Sequence, residues 1–302
     1  MNVSFFNLRK PIRVVTHSGS FHADDILAVA TLQLFLKGRV KVVRSREQVD
    51  IDAADYVVDV GGEYDVKRNR FDHHQANGAG ARANGIPYAS FGLVWKTFGA
   101  KLCGSEKAAE AIDRGFVQPV DAIDNGMEIT SSLFPDVYPY SFGNGLSAFL
   151  PSWKEVRDES VKTDAMFMKA VAMARAVLTR EIQRAKDGEE GRLFAEKAYQ
   201  AAEDKRVVTM DQSYPWTEVL CSHPEPLYAI YPQGDKWHVK AVRSNPRSFK
   251  TRKDFPAAWA GLRGDELAKA TGVADAIFCH KNAFLVGAKS LEGAKQLAKR
   301  AL

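Results

Sequence analysis

The stretch RVVTHSGSFHADDILAVATLQLFL, residues 13–36, decides most of what the sequence indicates about the fold. Residues 13–16 form a short apolar run that predicts a buried strand, and the polar turn His17-Ser18-Gly19-Ser20 follows it. Residues 23–36 are apolar on most faces, which predicts a helix that is buried on most sides. A strand, a polar turn and a buried helix therefore open the chain.

Two further strands are predicted downstream, at residues 41–43 and 56–60. Strand, helix and strand at this spacing predict an α/β fold with a mainly parallel sheet and helices on both of its faces. In such sheets, functional sites form at the carboxyl ends of the strands. His17 and Asp59 each fall at such an end, so we expect their side chains to lie at one edge of the sheet.

The length of the chain, 302 residues, predicts two domains at about 100–200 residues per domain, and the pattern of the remaining residues agrees. Residues 88–98 and 106–120 predict helices, with a stop at Asn125-Gly126, whereas residues 78–85 predict a flexible loop. A helix with a three-four period is predicted to break at residues 187–191, and short strands follow from residue 207. The expected parts are a first α/β domain (1–152), a helical connector (153–205) and a smaller C-terminal α/β domain (206–302).

The composition is that of a globular protein, with 45% hydrophobic and 26% charged residues. No apolar run approaches the roughly 18 residues of a membrane span, and residues 1–11 lack the apolar core of a secretory signal. The three cysteines, Cys103, Cys221 and Cys279, are odd in number and far apart, which argues against a disulfide framework or a zinc knuckle. We therefore expect no membrane partner and a reducing, cytoplasmic location.

Histidines and acidic residues concentrate near the predicted strand ends, since four of the seven histidines lie in the first 74 residues. The candidate metal ligands from this region are His17, His22, Asp24 and Asp59, with Asp25 beside them and Asp72-His73-His74 following a likely turn. Either Asp121 or Asp124 adds one more carboxylate. Such a set predicts two divalent ions about 4 Å apart. Mixed imidazole and carboxylate ligands favour Mn²⁺, with Mg²⁺, Co²⁺ or Zn²⁺ as rivals. The alternative for Asp24 or Asp25 is a helix N-cap.

A second signal is the basic stretch at residues 236–263. It carries eight Lys or Arg against the single acid Asp254, a net charge of 8 − 1 = +7 where the whole chain has +5. Concentrated positive charge predicts contact with a phosphate backbone, and Arg243, Arg252 and Arg263 are the candidate substrate-binding residues. Phe249 and Trp259 lie among these charges, as base-stacking side chains or as core residues.

Several motifs together resemble one known family. Asp72-His73-His74 is the tripeptide of the DHH phosphoesterase superfamily, which includes RecJ-type exonucleases, oligoribonucleases and family II pyrophosphatases. The closest branch is that of the melanocyte proliferating gene product, and the resemblance covers nearly the whole chain in order. It rests on the segments THSGSFHADD (16–25), VDVGGEYD (58–65), RFDHHQ (70–75), VDAIDNG (120–126), WAGLR (259–263) and FCHKNAF (278–284).

That resemblance implies a metal-dependent 3′–5′ exonuclease acting on RNA, with a catalytic first domain and a substrate-gripping second domain. It implies that His17, His22, Asp24, Asp59, His73 and Asp124 are metal ligands, with Asp121 competing for the last place. The expected catalytic residues are Asp59, His73 and His74, the last either as a support for a metal ligand or as a phosphate contact. His280 and Lys281 are expected to contact the substrate phosphate, the alternative for His280 being a strand-end residue. A homodimer is also expected, because DHH-type proteins are often dimers.

One position departs from the superfamily pattern. His22 stands where many DHH proteins have the first residue of an Asp-x-Asp pair, which is expected to shift the metal preference. Two other functions compete with the exoribonuclease: a hydrolase of small phosphate esters such as nanoRNA, cyclic dinucleotides or pyrophosphate, and a non-catalytic RNA-binding module. The chain has no GxxxxGK[ST], HExxH or GxSxG motif, so other common hydrolase chemistries are not indicated.

Overall fold

The computed structural model describes residues 10–37 and 39–302. The chain forms two compact units, one that ends at Lys186 and a second that spans Asp187–Leu302. The boundary lies within the region predicted as a helical connector, inside a single long helix. No helix within the described residues is both long and apolar enough to cross a membrane.

The first unit is built on a five-stranded sheet of order β2-β1-β3-β5-β4. The strands are β1 Ile12–Thr16, β2 Val40–Arg44, β3 Tyr56–Val58, β4 Tyr64–Asp65 and β5 Arg70–Phe71. All neighbours are parallel except β4, which runs antiparallel to β5 at the edge. The predicted parallel sheet is confirmed, with one short antiparallel strand added.

Helices cover both faces of this sheet. The reason is that successive residues of a strand point to opposite faces, so apolar side chains lie on both. Val14 packs into the large core shared with the first helix, α1 Ala23–Phe35, whereas Val15 packs on the opposite face against Ile51 of α2 Gln48–Asp52. The predicted mixed α/β fold with helices on both faces is confirmed. Burial of α1 on nearly every side explains why its sequence is apolar all round.

The remaining helices of the first unit follow the sheet in sequence. They are α3 Ser90–Cys103, α4 Glu106–Ile112, a π-helical turn Asp113–Val117, α5 Gln118–Asp124, α6 Phe142–Ser147, α7 Trp153–Arg157 and α8 Thr163–Ala201, the last of which continues into the second unit. The helix stop predicted at Asn125-Gly126 is confirmed, since Gly126 has a φ of +75° and its N–H donates to the carbonyl of Ile123.

The predicted break in the long helix at residues 187–191 is wrong, because α8 runs unbroken from Thr163 to Ala201. Its two glycines weaken the helix without ending it. Gly191 has a packing reason: a Cβ there would lie 2.5 Å from Cδ of Pro215. Glycine thus lets the segment around Pro215 approach the helix backbone closely.

The second unit contains its own five-stranded sheet of order β6-β7-β8-β10-β9. Its elements are β6 Val207–Thr209, α9 Thr217–Ser222, β7 Tyr228–Gln233, β8 Lys236–Ala241, α10 Gly264–Thr271, β9 Ala276–Cys279, β10 Leu285–Ala288 and α11 Leu291–Ala301. Only β6 and β7 are parallel. Tyr228 and Val239 pack against α11 on one face, and Tyr231 packs with Tyr199 of α8 on the other. The smaller α/β unit predicted for the C-terminal part is confirmed.

Gly191→Ala is expected to destabilise the chain by about 1–3 kcal/mol, because the added Cβ overlaps Pro215. Gly188→Ala is the matched control on the same helix, since a Cβ at Gly188 meets no atom within 4 Å. That control is expected to stabilise by up to about 1 kcal/mol through helix propensity. Thermal melting of the full chain measures both, and equal effects of the two substitutions would contradict the packing role of Gly191.

Candidate metal centre

Three neighbouring strands of the first sheet end at the same edge, and a side chain that could bind a metal follows each of them. His17 follows β1, Asp59 follows β3, and Asp72 with His73 follows β5. Because β3 is parallel to both β1 and β5, these three carboxyl ends point the same way. The predicted placement of His17 and Asp59 at neighbouring strand ends is confirmed.

Asp59 lies at the centre of this edge. Its backbone has a φ of +57°, a left-handed conformation that aspartate adopts more readily than most residues. Its N–H donates to the carbonyl of Phe71, which ties the turn to β5. The carboxylate is buried, with Oδ2 3.4 Å from Nε2 of His17 and Oδ1 3.4 Å from Nε2 of His73. Asp59 therefore faces two imidazoles from its two neighbouring strands.

The first group of candidate metal ligands consists of His17, His22 and Asp59, each of which offers one ligand atom within 4.8 Å of the others. Nδ1 of His17 lies 3.1 Å from the carbonyl of Ser18, so Nδ1 carries the proton. In the neutral ring, Nε2 is then the nitrogen with the lone pair, and it lies on the side of Asp59. A hydrogen bond of this kind fixes the tautomer of many metal-binding histidines.

In two more groups the ligand atoms also lie within 4.8 Å of one another. One group is Asp59, His73 and His74, and the other is Asp24, His73 and Asp124. Nε2 of His73 lies 3.2 Å from Oδ2 of Asp124. Asp59 and His73 each belong to two of the three groups, so the groups adjoin one another. The arrangement has enough ligands for two neighbouring cations.

Two buried polar atoms at the centre lie near oppositely charged groups but form no well-aligned hydrogen bond among the described residues. They are Nε2 of His73 and Oδ2 of Asp25, and the latter lies 3.3 Å from Nε2 of His17. A buried polar atom without a partner costs free energy, and a bound cation would supply the missing interaction. These atoms, together with the mixed oxygen and nitrogen donor set, fit a divalent metal ion.

Burial shifts the pKa values of the central carboxylates in a way that a cation would reverse. It raises the pKa of Asp24 well above its usual value, with help from the charges of Asp59 and Asp124, and it raises the pKa of Asp25 to about 7. Burial would lower the pKa of His73, but Asp124 and Asp59 overcome it and raise that pKa to about 11. Without a cation, the centre therefore retains protons.

The N-cap of α1 is His22, so the alternative that Asp24 or Asp25 is that N-cap is wrong, although both carboxylates accept hydrogen bonds from N–H groups at helix starts. Oδ1 and Oδ2 of Asp24 accept hydrogen bonds from the N–H groups of Phe91 and Ser90, at 2.6 and 3.0 Å, at the start of α3. Oδ1 of Asp25 accepts from the N–H of His22 at the start of α1. Hydrogen bonding at a helix start and a place in the centre are thus combined in the same residues.

Asp72 organises the loops around the centre. Its Oδ2 accepts from the N–H of Gly62, and its Oδ1 accepts from the N–H of His74 and lies 2.7 Å from Nδ1 of the same ring. Asp72 is buried, whereas the side chain of His74 is 62% exposed. Asp72 therefore orients His74, which lies at the open side of the centre.

Asp121 does not belong to any of the three groups found among the described residues, whereas Asp124 does. The buried carboxylate of Asp121 accepts from the N–H of Gly92 at 3.0 Å, and Oδ2 lies 2.8 Å from Nη1 of Arg82. A Cβ on Gly92 would lie 1.8 Å from Oδ2 of Asp121, so only glycine leaves room for this carboxylate. Asp121 thus links α5 to α3 and to Arg82.

The loop at residues 78–85 is anchored, contrary to its prediction as flexible. Arg82 pairs with both Asp113 and Asp121, and its guanidinium lies 4.2 Å from the ring of Tyr88. An isolated bridge between Ala81 and Pro87 closes the loop. The composition of the loop, which is rich in glycine and alanine, gave no indication of these contacts. The nearest signal in the sequence is that Arg82 is the single charged residue of the loop.

The candidate ligands open onto a cavity of about 660 Å³. Sequence reasoning missed three residues there. Arg46 and Asn125 line the cavity, and the hydroxyl of Ser90 donates to Oδ1 of Asp59 at 3.3 Å. Arg46 is exposed and supplies a positive charge at the rim. Its position directly after β2 is the signal that would have found it, since β2 is parallel to β1 and ends at the same edge.

In the second unit, the predicted arginines have different surroundings. Arg252 is committed to structure, since its guanidinium donates to the carbonyls of Pro224, Pro226 and Cys221. Arg243 lies over the ring of Phe249, which is 88% exposed, and both line a cavity of about 560 Å³ with Lys240 and Lys250. Arg263 is exposed just before α10.

The remaining candidates lie at the end of β9 and in the core. His280 packs against Phe284, and its Nδ1 accepts from the N–H of Asn282, while Lys281 is exposed beside it. Trp259 is buried and stacks near Phe255, so it is a core residue and not a base-stacking side chain. Phe249 is therefore the aromatic side chain of the basic stretch that is open to a ligand.

Fold and site together define a mixed α/β protein with a buried carboxylate and imidazole centre of the type that holds divalent cations. The MYG1_exonuc family model, described as "Uncharacterised protein family (UPF0160)", matches residues 13–302. The chain belongs to this MYG1 family. It is 32% identical to the MYG1 protein of Schizosaccharomyces pombe, with 96% of this chain and 97% of that one covered.

Two other relatives extend the comparison across distant organisms. The MYG1 exonuclease of Homo sapiens is 30% identical, with 98% of this chain and 87% of that protein covered. The MYG1 protein of Chlamydia trachomatis is 33% identical, with 91% of each chain covered. The similarity spans both units of the chain.

Asp25→Asn is expected to raise the melting temperature of the chelator-treated protein at pH 8 more than at pH 5. The folded-state pKa of Asp25 is raised from 3.8 to about 7, so ionisation favours the unfolded state as the pH rises between these values. Stability is therefore lost with rising pH, and an uncharged amide removes that loss. Melting curves across this pH range measure it.

Asp72→Asn is the matched control, because it makes the same chemical change at a fully hydrogen-bonded carboxylate. Either orientation of the new amide turns an NH₂ group against the N–H of Gly62 or the His74 donors. We expect a loss of about 1–3 kcal/mol. A parallel response of both variants to pH would contradict the role assigned to the burial of Asp25.

Proposed function

We propose that the chain is a metal-dependent phosphodiester hydrolase, specifically a 3′–5′ exoribonuclease with two divalent ions, and that Mn²⁺ suits its ligands best. The observation that carries this proposal is the sharing of Asp59 and His73 among adjoining ligand groups. The name of the human relative, MYG1 exonuclease, supports a nuclease. Two divalent ions held here would activate a water molecule and stabilise the charge of a phosphodiester in displacement.

The residues divide into ligands and orienting groups. Asp59 has two carboxylate oxygens and would serve both ion positions, His17 and His22 would complete one, and His73, Asp24 and Asp124 would complete the other. Asp72 orients His74 by the contacts described above, and the exposed imidazole of His74 contacts the substrate phosphate. Arg46 at the cavity rim adds a positive charge for the same phosphate. This assignment places Asp121 outside the ligand set.

The Asp72-His73-His74 tripeptide supports our placement of the chain in the DHH superfamily, with Asp72 in the orienting role. RNA is the proposed partner of the basic stretch in the second unit. There, Lys240, Arg243 and Lys250 surround the exposed ring of Phe249, a combination that suits a phosphate backbone and a stacked base. A cytoplasmic location and a homodimer stay predictions.

A small phosphate ester is the second candidate substrate. The observation that favours it is that the cavity at the centre, about 660 Å³, has the size of a small-molecule site. Rate measured against oligomer length separates the two functions. A preference for dinucleotides over longer RNA supports the small ester, and sustained rates on longer chains support the exoribonuclease.

Purified protein is expected to release mononucleotides from an RNA with a free 3′ end when Mn²⁺ is present, and Asp59→Asn is expected to abolish this release. The loss should exceed the roughly 100-fold that removal of a partner to a metal ligand costs, because Asp59 serves both ion positions. Substrates labelled at the 5′ end and then at the 3′ end establish the polarity.

Asp52→Asn is the matched control, since Asp52 is an exposed aspartate on α2 that accepts a hydrogen bond from Gln48 and lies outside the centre. Its activity is expected to equal that of the unaltered protein. Absence of release with Mn²⁺, Mg²⁺, Co²⁺ and Zn²⁺ alike would overturn the proposed function. An equal loss of mononucleotide release in Asp52→Asn and Asp59→Asn would show that the centre does not take part in the reaction.

Lys250→Gln is expected to raise KM for RNA of ten or more nucleotides by a few-fold and to leave KM for a dinucleotide unchanged. The reason is that Lys250 belongs to the proposed backbone contact, and the loss of one phosphate contact lowers the salt dependence of binding by about one ion. Lys269→Gln, on α10, is the control with the same charge change. Unchanged salt dependence in Lys250→Gln would exclude this contact.

A further inference from the structure

A second cavity adjoins the metal centre within the first unit. Its volume is about 550 Å³, and it shares His22 and Asp124 with the cavity at the centre. The rest of its wall is largely apolar, formed by side chains that include Phe116, Val120 and Ile123. A molecule held at the metal ions through a phosphate can therefore extend directly into an apolar pocket.

One wall of this pocket is shaped by the π-helical turn at Asp113–Val117. Pro119 explains the turn, because proline lacks an N–H and its ring clashes with the carbonyl four residues earlier, that of Gly115, in a regular α-helix. Widening to a π-helix relieves the clash and inserts one residue into the turn. Gly115 and Phe116, both in this turn, line the pocket. Such turns occur frequently at functional sites.

The opposite wall comes from the start of α6. Ser141 and Asn144 form a reciprocal capping box, in which each side chain accepts a hydrogen bond from the backbone N–H of the other. This box holds Phe142, whose ring lies 5.5 Å from that of Phe116. The amide nitrogen of Asn144 donates no hydrogen bond among the described residues, so it adds a free donor to a pocket that is lined mainly by apolar side chains.

This chemistry fits a nucleobase and does not fit a second phosphate. A base is flat and apolar on its faces and carries acceptors at its edge, which match the two aromatic rings and the Asn144 amide. Among residues 10–37 and 39–302, no lysine or arginine lines this pocket. Its volume lies within the roughly 300–1,000 Å³ of small-molecule sites.

We propose that the pocket between Phe116, Ile123 and Phe142 binds the base of the nucleotide whose phosphate lies at the metal centre. The proposal rests on the function proposed above and adds a substrate determinant to it. The base then adds to the phosphate contacts of His74 and Arg46, and it sets the register of the scissile phosphate.

The test compares two short RNAs that differ only at the 3′-terminal nucleotide, which carries adenine in one and no base in the other. The unaltered protein with Mn²⁺ is expected to lose roughly ten- to hundredfold in kcat/KM on the abasic RNA. Ile123→Ala is expected to lose roughly three- to tenfold on the adenine RNA and nothing on the abasic one. Equal losses on both RNAs would overturn the proposal, because Ile123 would then act through its neighbour Asp124.

Val156→Ala is the matched control. Val156 and Ile123 are both branched aliphatic residues with 57% exposure, and Val156 on α7 lies outside the pocket. The control is expected to behave as the unaltered protein on both RNAs. A loss in Val156→Ala equal to that in Ile123→Ala would also overturn the proposal, since it would show a general response to a smaller exposed side chain.

A binding measurement separates failure of the pocket from failure of the proposed function. The fluorescence of 2-aminopurine riboside 5′-monophosphate is followed as the Mn²⁺-loaded full chain is added. Binding that weakens roughly three- to tenfold in Ile123→Ala and stays unchanged in Val156→Ala supports the pocket, even where no RNA is hydrolysed. No difference among the three proteins overturns the pocket, even where RNA is hydrolysed with the expected metal dependence.

Discussion

Repulsion between buried carboxylates is the constraint on which the first unit depends. The parallel strands deliver Asp59 to the same edge that receives Asp24 and Asp124, and these groups are largely withdrawn from water. Burial raises the pKa of Asp24, and the charges of Asp59 and Asp124 raise it further, whereas His17 and His73 hold the pKa of Asp59 below its usual value despite its burial. A divalent cation would offset the repulsion that remains at Asp24. The arrangement of these carboxylates therefore favours a bound positive charge.

The residues behind the ligands explain how the chain tolerates this arrangement. Asp24 draws on two backbone N–H groups at the start of α3, and Asp72 is satisfied by Gly62 and His74. Arg82 balances Asp121 and so removes one acid from the set that competes for a cation. The support consists of hydrogen bonds from fixed backbone groups, which hold ligand geometry more firmly than flexible side chains do.

The sequence predicts the features that local patterns of residues determine, and it does not predict those that depend on packing between distant residues. The strands, the buried helix α1 and the meeting of His17 with Asp59 follow from apolar runs and from the rule that parallel strands end at one edge. The choice of Asp124 over Asp121 depends on Arg82, a residue about 40 positions earlier whose loop lacks periodicity. The glycine at residue 191 of α8 is explained by the close approach of Pro215, and the role of Arg252 depends on carbonyls from a distant turn. No local pattern records these contacts.

Helix α5 joins the two parts of the proposed substrate site. Asp124 faces His73 at the metal centre, and the preceding residue, Ile123, faces the apolar pocket, because adjacent helical residues point about 100° apart. The π-helical turn before Pro119 sets the rotation of the whole helix, so one local distortion positions both side chains. A base seated against Ile123 therefore fixes its own phosphate relative to Asp124. Recognition and chemistry are coupled through a single turn of helix, and a change in that turn must alter both together.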